Sequence, residues 1–129
     1  MYLGIKTDSS VAEFYLCDGQ DLHAEKTWQA DRQLAHGLLG QLEVFLQENG
    51  AGFDDLKGVF VYRGPGSFTG LRIGITVINT IAYANSIALV GAEGEDWRNV
   101  ALKRLESGNV DEVVLPLYGA DARITKPRK

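Results

Sequence analysis

The stretch "YRGPGSFTGLRIGIT", Tyr62 to Thr76, decides how this chain folds. It follows the apolar run "LKGVFV" and leads into a long aliphatic segment ending in "VINTIAYAN". Pro65 fixes one backbone dihedral, and Gly64, Gly66 and Gly70 can adopt conformations closed to other residues. Ser67 or Thr69 can cap the first amides of a following helix, and the same amides could instead hold an anion. The spacing G-x-G-x-x-x-G is one residue longer than the dinucleotide fingerprint. No glycine is followed by Lys and Ser or Thr as a Walker loop requires. On the residues alone, a shaped strand-to-helix turn and an anion cradle both stay open.

Upstream, "YLGIK" and "SVAEFYLC" are short β-prone runs, and Asp18 and Gly19 supply a hairpin turn before the alternating "LHAEKTWQ". The period then changes. In "RQLAHGLLGQLEVFLQENG", Leu34, Leu38, Leu42 and Phe45 fall on one helical face and Gly50 is a natural stop. "LKGVFVY" has the length of a buried strand, "LRIGITVINTIAYAN" that of a helix, and "SIALVG" that of another strand. "EDWRNVALKRLESG" is amphipathic and ends at Gly108. The predicted order is βββ-α-β-α-β-α, an α/β mixed sheet with helices packed on it.

The helix expected from Ser67 to about Asn85 has apolar residues on two sides. Leu71, Ile75, Ile78 and Ala82 cluster on one, and Ile73, Val77, Ile81 and Ala84 lie nearly opposite. One side can cover the sheet. The other needs either the 32–49 helix or another protein chain. Leu34, Leu38, Leu42, Leu71, Ile75, Val77 and Ile78 are therefore candidates for a partner interface.

At 129 residues the chain is one domain's worth, and 45% hydrophobic residues suffice for a core. A formal net charge of −4 provides no overall basic field to draw it to nucleic acid. A single cysteine, Cys17, can form neither an internal disulfide nor a thiolate metal site. The N-terminus does not read as a signal peptide, and no apolar run approaches the ~20 residues of a membrane span. A cytoplasmic location is the expectation. Ser67 has no evident His and Asp partners, and His36 is followed four residues on by Gly40, so the residues offer neither a nucleophilic triad nor a His pair for a metal. No catalytic residue and no metal are expected. The basic tail, Arg123, Lys126, Arg128 and Lys129, reads as a solvated end.

"GPGSFTGLRIG", Gly64 to Gly74, resembles the signature of the TsaB family, also called YeaZ. "LGIKTDSS" is similar to that family's opening strand and "FDDLKGVFVYRGPG" to its approach to the signature. "WRNVALKRLESG", with Pro116 and Tyr118 beyond it, is similar to its closing helix and terminal P-x-Y segment. The resemblance implies one ribonuclease H-like lobe of the actin-like superfamily, occupying 1–129, with the second lobe absent between "SIALVG" and the closing helix. It implies a non-catalytic scaffold that supports a TsaD-type enzyme in making threonylcarbamoyladenosine on tRNA. A TsaE-type ATPase would be a further partner and a homodimer an alternative assembly. Neither sequence-specific nucleic-acid binding nor membrane association is expected. The signature residues Gly64, Pro65, Gly66, Ser67, Phe68, Thr69, Gly70 and Arg72 would be structural, with anion contact as a second role. No cofactor is expected, ATP being bound only at an interface shared with the partner. The sequence also departs from the family's first strand, which commonly reads I-D-T-[SA]; here Lys6 stands where the acid would be. An ammonium repels a magnesium ion that a carboxylate would help hold. The competing readings are a nucleotide-binding or hydrolysing enzyme that uses the glycine loop, and a self-associating module.

Overall fold

A computed structural model describes residues 1–117. Within these residues five strands form one sheet: β1 (Tyr2–Lys6), β2 (Val11–Asp18), β3 (Asp21–Gln29), β4 (Gly58–Gly64) and β5 (Ala88–Glu93). Three helices cover it: α1 (Leu34–Glu48), α2 (Phe68–Asn85) and α3 (Trp97–Ser107). The spatial order is β3-β2-β1-β4-β5. The first three strands are antiparallel, whereas β1–β4 and β4–β5 run parallel. The predicted element order is the one found.

The alternation of β2 shows how the layers divide. Phe14 points to one face, where its ring lies 5.8 Å from that of Phe45 on α1. Tyr15 points to the other, where it meets Trp97 on α3 edge-on at 5.8 Å. So α1 and α2 share one face of the sheet and α3 covers the other. Central strands β1 and β4 are buried on both faces, which is why "GVFVY" reads as a continuous apolar run rather than an alternation. β3 lies at the sheet edge, and five of its odd-numbered residues, including Glu25 and Thr27, are exposed while Ala24, Lys26 and Trp28 are half-buried.

The turn chemistry follows the glycines. Gly19 (φ +60°) closes the β2–β3 hairpin, and Gly108 (φ +79°) takes the left-handed cap of α3, its N–H bonding to the Arg104 and Leu105 carbonyls. The second apolar side of α2 is met mainly from within. Ile81 is buried with the core face, while Ile73 and Val77 are half-buried beside α1.

This packing corrects the expected interface set. Leu34, Leu38, Leu42, Leu71, Ile75 and Ile78 are all at most 6% exposed. They belong to the chain's own core because α1 and α2 lie side by side on one sheet face and point those residues into it. Of the seven, Val77 alone stays partly at the surface. Tyr118 and the basic residues 123, 126, 128 and 129 lie outside the described residues.

Candidate functional site

The signature loop joins β4 to α2 and folds over the end of β1. Three glycines spaced by four, Gly66, Gly70 and Gly74, place the N-terminal part of α2 against Thr7 and Asp8. A Cβ on Gly66 would lie 2.5 Å from Asp8 Cβ, one on Gly70 2.2 Å from the Thr7 carbonyl oxygen, and one on Gly74 2.1 Å from Thr7 Oγ1. None of these distances admits a side chain. Thr7 is fully buried, and its hydroxyl donates to the Gly70 carbonyl at 2.8 Å. The close approach lets a polar side chain sit in the core with its hydrogen bond satisfied. Gly64 answers the need for a positive φ, at +134°, and its peptide bond to Pro65 is cis. Its missing Cβ makes room for the Leu117 carbonyl, which would otherwise be 2.2 Å away.

The loop's polar groups are turned to the same purpose. The Ser67 N–H donates to the Asp8 carbonyl at 3.2 Å, the Leu71 N–H to the Ser67 carbonyl at 2.9 Å, and the Tyr62 hydroxyl to the Pro65 carbonyl at 2.6 Å. Ser67 occupies the N-cap position of α2, but its side chain makes no capping hydrogen bond, and Thr69 stands inside the helix. The expected cap by hydroxyl is therefore replaced by tertiary packing. Phe68 is half-exposed and the Arg72 guanidinium lies 5.4 Å from its ring centroid. Arg72 then continues along a groove between α1 and α2, with Ala35, Thr69, Ile73, Thr76 and Val77.

On the α3 face, the end of β1 carries Lys6. Its Nζ is 2.8 Å from Asp8 Oδ1 and 4.6 Å from the centroid of the Tyr62 ring. Asp8 thus has a cation of its own chain as partner. Burial raises the Tyr62 hydroxyl above its ordinary range, although Lys6 works against this. Lys6, Tyr62, Pro65, Gly94, Glu95 and Trp97 line a cavity of about 350 Å3 at the carboxyl ends of β1 and β4. Arg63 and Glu93 stand at the ends of β4 and β5, 3.4 Å apart. Among the described residues no three His, Cys, Asp or Glu side chains come together as a metal site. His23 and His36 are exposed, on β3 and α1.

The closing segment was missed as part of this site. Residues 109–117 cross the edge of β5 and return to the signature loop. The Leu117 N–H donates to the Arg63 carbonyl at 2.7 Å, and Arg63 Nε donates to the Leu115 carbonyl at 2.9 Å. Asn79 on α2 makes both backbone hydrogen bonds of Val114, each 3.0 Å. Gly74 was also missed as a contact residue, although its spacing from Gly66 and Gly70 was the available signal.

Comparison with known proteins agrees with this geometry. Residues 28–93, just over half of the chain, match the TsaD family, described as tRNA N6-adenosine threonylcarbamoyltransferase. The tRNA threonylcarbamoyladenosine biosynthesis protein TsaB of Bacillus subtilis is 31% identical over 85 residues, covering 66% of this chain and 32% of that protein. The tRNA N6-adenosine threonylcarbamoyltransferase of Lacticaseibacillus casei is 47% identical over 45 residues, 35% of this chain and 13% of that one. Among solved structures, YeaZ from Pseudomonas aeruginosa superposes with a TM-score of 0.65 at 25% identity, over 71% of this chain and 43% of its own. The chain spans about a third or less of the length of the curated relatives it matches. With its single ribonuclease H-like sheet and the TsaB-like signature packed on Thr7, the chain belongs to the TsaD family, as a TsaB (YeaZ) type member.

Proposed function

We propose that this chain is a non-catalytic scaffold subunit in the biosynthesis of threonylcarbamoyladenosine on tRNA, supporting a TsaD-type enzyme. The observation that carries the reading is the use of the signature glycines. Gly66, Gly70 and Gly74 are consumed in seating α2 on Thr7 and Asp8. The Lys6 ammonium occupies the carboxylate that would otherwise draw a magnesium ion. A loop spent on packing beside a cationic first strand favours a binding surface over phosphate chemistry. The surface we assign to the partner is the outer side of the helix pair, where Ala35, Thr76 and Val77 line the groove with Arg72 and where Leu39 of α1 is exposed. Any nucleotide is then held at an interface shared with the partner, and a TsaE-type ATPase joins through that assembly. We read the chain as a single-lobe form, because three residues, 94–96, connect β5 to α3 where the longer family members place their second lobe.

The test is reconstitution of tRNA threonylcarbamoylation with the TsaD-type protein of the same cell, with and without this chain. The reading expects modification to depend on adding it and the two proteins to co-sediment. Modification at full rate without it, or no complex at micromolar concentrations, would refute the proposal. A homodimer that never exchanges with the TsaD-type protein would favour the self-associating module instead.

A further inference from the structure

The closing segment does more than cover an edge. β5 is the outermost strand on its side of the sheet, and a bare edge strand would present unpaired amides and carbonyls. At Leu89 and Gly91 those groups are taken up by side chains and by the segment itself. The Asp111 N–H donates to the Leu89 carbonyl at 2.7 Å, and the Gly91 N–H donates to Asp111 Oδ2 at 2.9 Å. Arg104 Nη1 donates to the Gly91 carbonyl at 3.2 Å while its Nη2 pairs with Asp111 Oδ1 at 2.8 Å. Val114 then packs so tightly over the strand that a Cβ on Gly91 would lie 2.4 Å from its Cγ1. The segment ends on the signature loop: both Leu117 and Leu115 bond to Arg63, and the Leu117 carbonyl fills the space left by Gly64.

We propose that residues 109–117 form a strap that sets the conformation of the signature loop. Three fastenings hold it: Asp111 at β5, Val114 at Asn79, and Leu117 at Arg63. The last one fixes the residue that precedes Gly64, so the loop's starting point is defined from outside the loop. The amides beyond it, at Ser67 and Leu71, inherit that position. Coupling of this kind is reciprocal. Whatever engages the loop tightens the strap, and whatever lifts the strap loosens the loop.

Amide hydrogen exchange on the full chain tests the coupling. The variant is Asp111→Ala with Val114→Ala, both in the strap and neither touching the loop; Val113→Ala, on the exposed side, is the control. Asp111→Ala removes the bonds to the Gly91 N–H and to Arg104, and Val114→Ala the packing over Gly91, so exchange at the Leu117 amide should rise roughly tenfold or more. The Ser67 and Leu71 amides should accelerate with it, while the β1–β2 ladder and the control keep parental rates. Faster exchange at Leu117 with unchanged Ser67 and Leu71 would overturn the proposal, as would no change at Leu117. Should the double variant loosen the whole sheet, Val114→Ala alone is read by the same criterion.

Discussion

Replacing Gly70 by alanine puts the account of the signature loop at risk. The new methyl would stand 2.2 Å from the carbonyl oxygen of the fully buried Thr7, a backbone atom that cannot swing aside as a side chain can. The helix and β1 must separate by about 1 Å before the contact is tolerable, and overpacking of this kind costs about 1–3 kcal/mol. The same movement stretches the 2.8 Å hydrogen bond from Thr7 Oγ1 to the Gly70 carbonyl. Its loss inside the core adds about 1 kcal/mol. Alanine's better helix propensity returns about 1 kcal/mol. The net is a destabilisation of about 2 kcal/mol, or a melting temperature lower by roughly 8 °C for a domain this size. Gly40 supplies the counter-case. It lies exposed on α1 with nothing within 4 Å of its would-be Cβ, so Gly40→Ala should stabilise by about 0.5–1 kcal/mol. Thermal and urea unfolding followed by circular dichroism measure both. Should Gly70→Ala melt with the parent or above it, the close approach to Thr7 is not what the glycine serves.

Val77→Glu should keep a native melt and lose the TsaD-type partner in co-sedimentation, whereas Ile75→Glu, 3% exposed, should fail to fold; equal stability of the two would contradict the packing of α2. For Asp111, burial pushes the carboxyl up. Hydrogen bonds from Arg104 and the Gly91 amide, with the charges of Arg104 and Arg63, outweigh this and hold it below its ordinary value. A folded-state pKa below the unfolded one contributes stability that is complete above the unfolded value and is lost as pH falls through the folded value. Asp111→Asn should therefore flatten the acid limb of stability against pH and change little of its slope at neutral pH, as urea titrations between those limits would show. Burial pushes the Cys17 thiol up to about 11, so a thiol reagent at neutral pH should label it only as fast as the chain unfolds. Isolated chain incubated with magnesium and ATP should release phosphate at the blank rate, and a rate abolished by Ser67→Ala would point back to the glycine loop as a phosphate site.

The elements were legible because each carries its own period. Leu34, Leu38, Leu42 and Phe45 could only be the inner face of a helix, and "GVFVY" only a strand buried on both sides. The glycine loop was legible as a turn but not in its cause. What Gly66, Gly70 and Gly74 avoid is the backbone and side chain of Thr7 and Asp8, 58 to 67 residues earlier in the chain, and no local pattern names that neighbour. The burial of the interface candidates is hidden from the sequence for a related reason. Periodicity shows that α2 has two apolar sides, yet it cannot tell that α1 lies alongside and absorbs most of the second. The strap left the weakest trace, since "NVDEVVLPL" has neither helical nor strand period and draws its order from Asn79, Arg63 and Arg104.

The short passage from β5 to α3 has a consequence for how such a domain can change size. Residues 94–96 are exposed, Gly94 has a left-handed φ of +82°, and no atom would crowd a side chain there. The chain leaves the sheet and returns to its α3 face at almost the same place, so the two ends of this passage are a ready junction. Polypeptide spliced in at that junction adds a closure cost that grows only logarithmically, about 0.6 kcal/mol for each doubling of length. Among the described residues, all five strands and the helices α1 and α2 precede this junction and α3 follows it. A stretch of chain added at residues 94–96 would therefore leave the glycine-seated helix where it is.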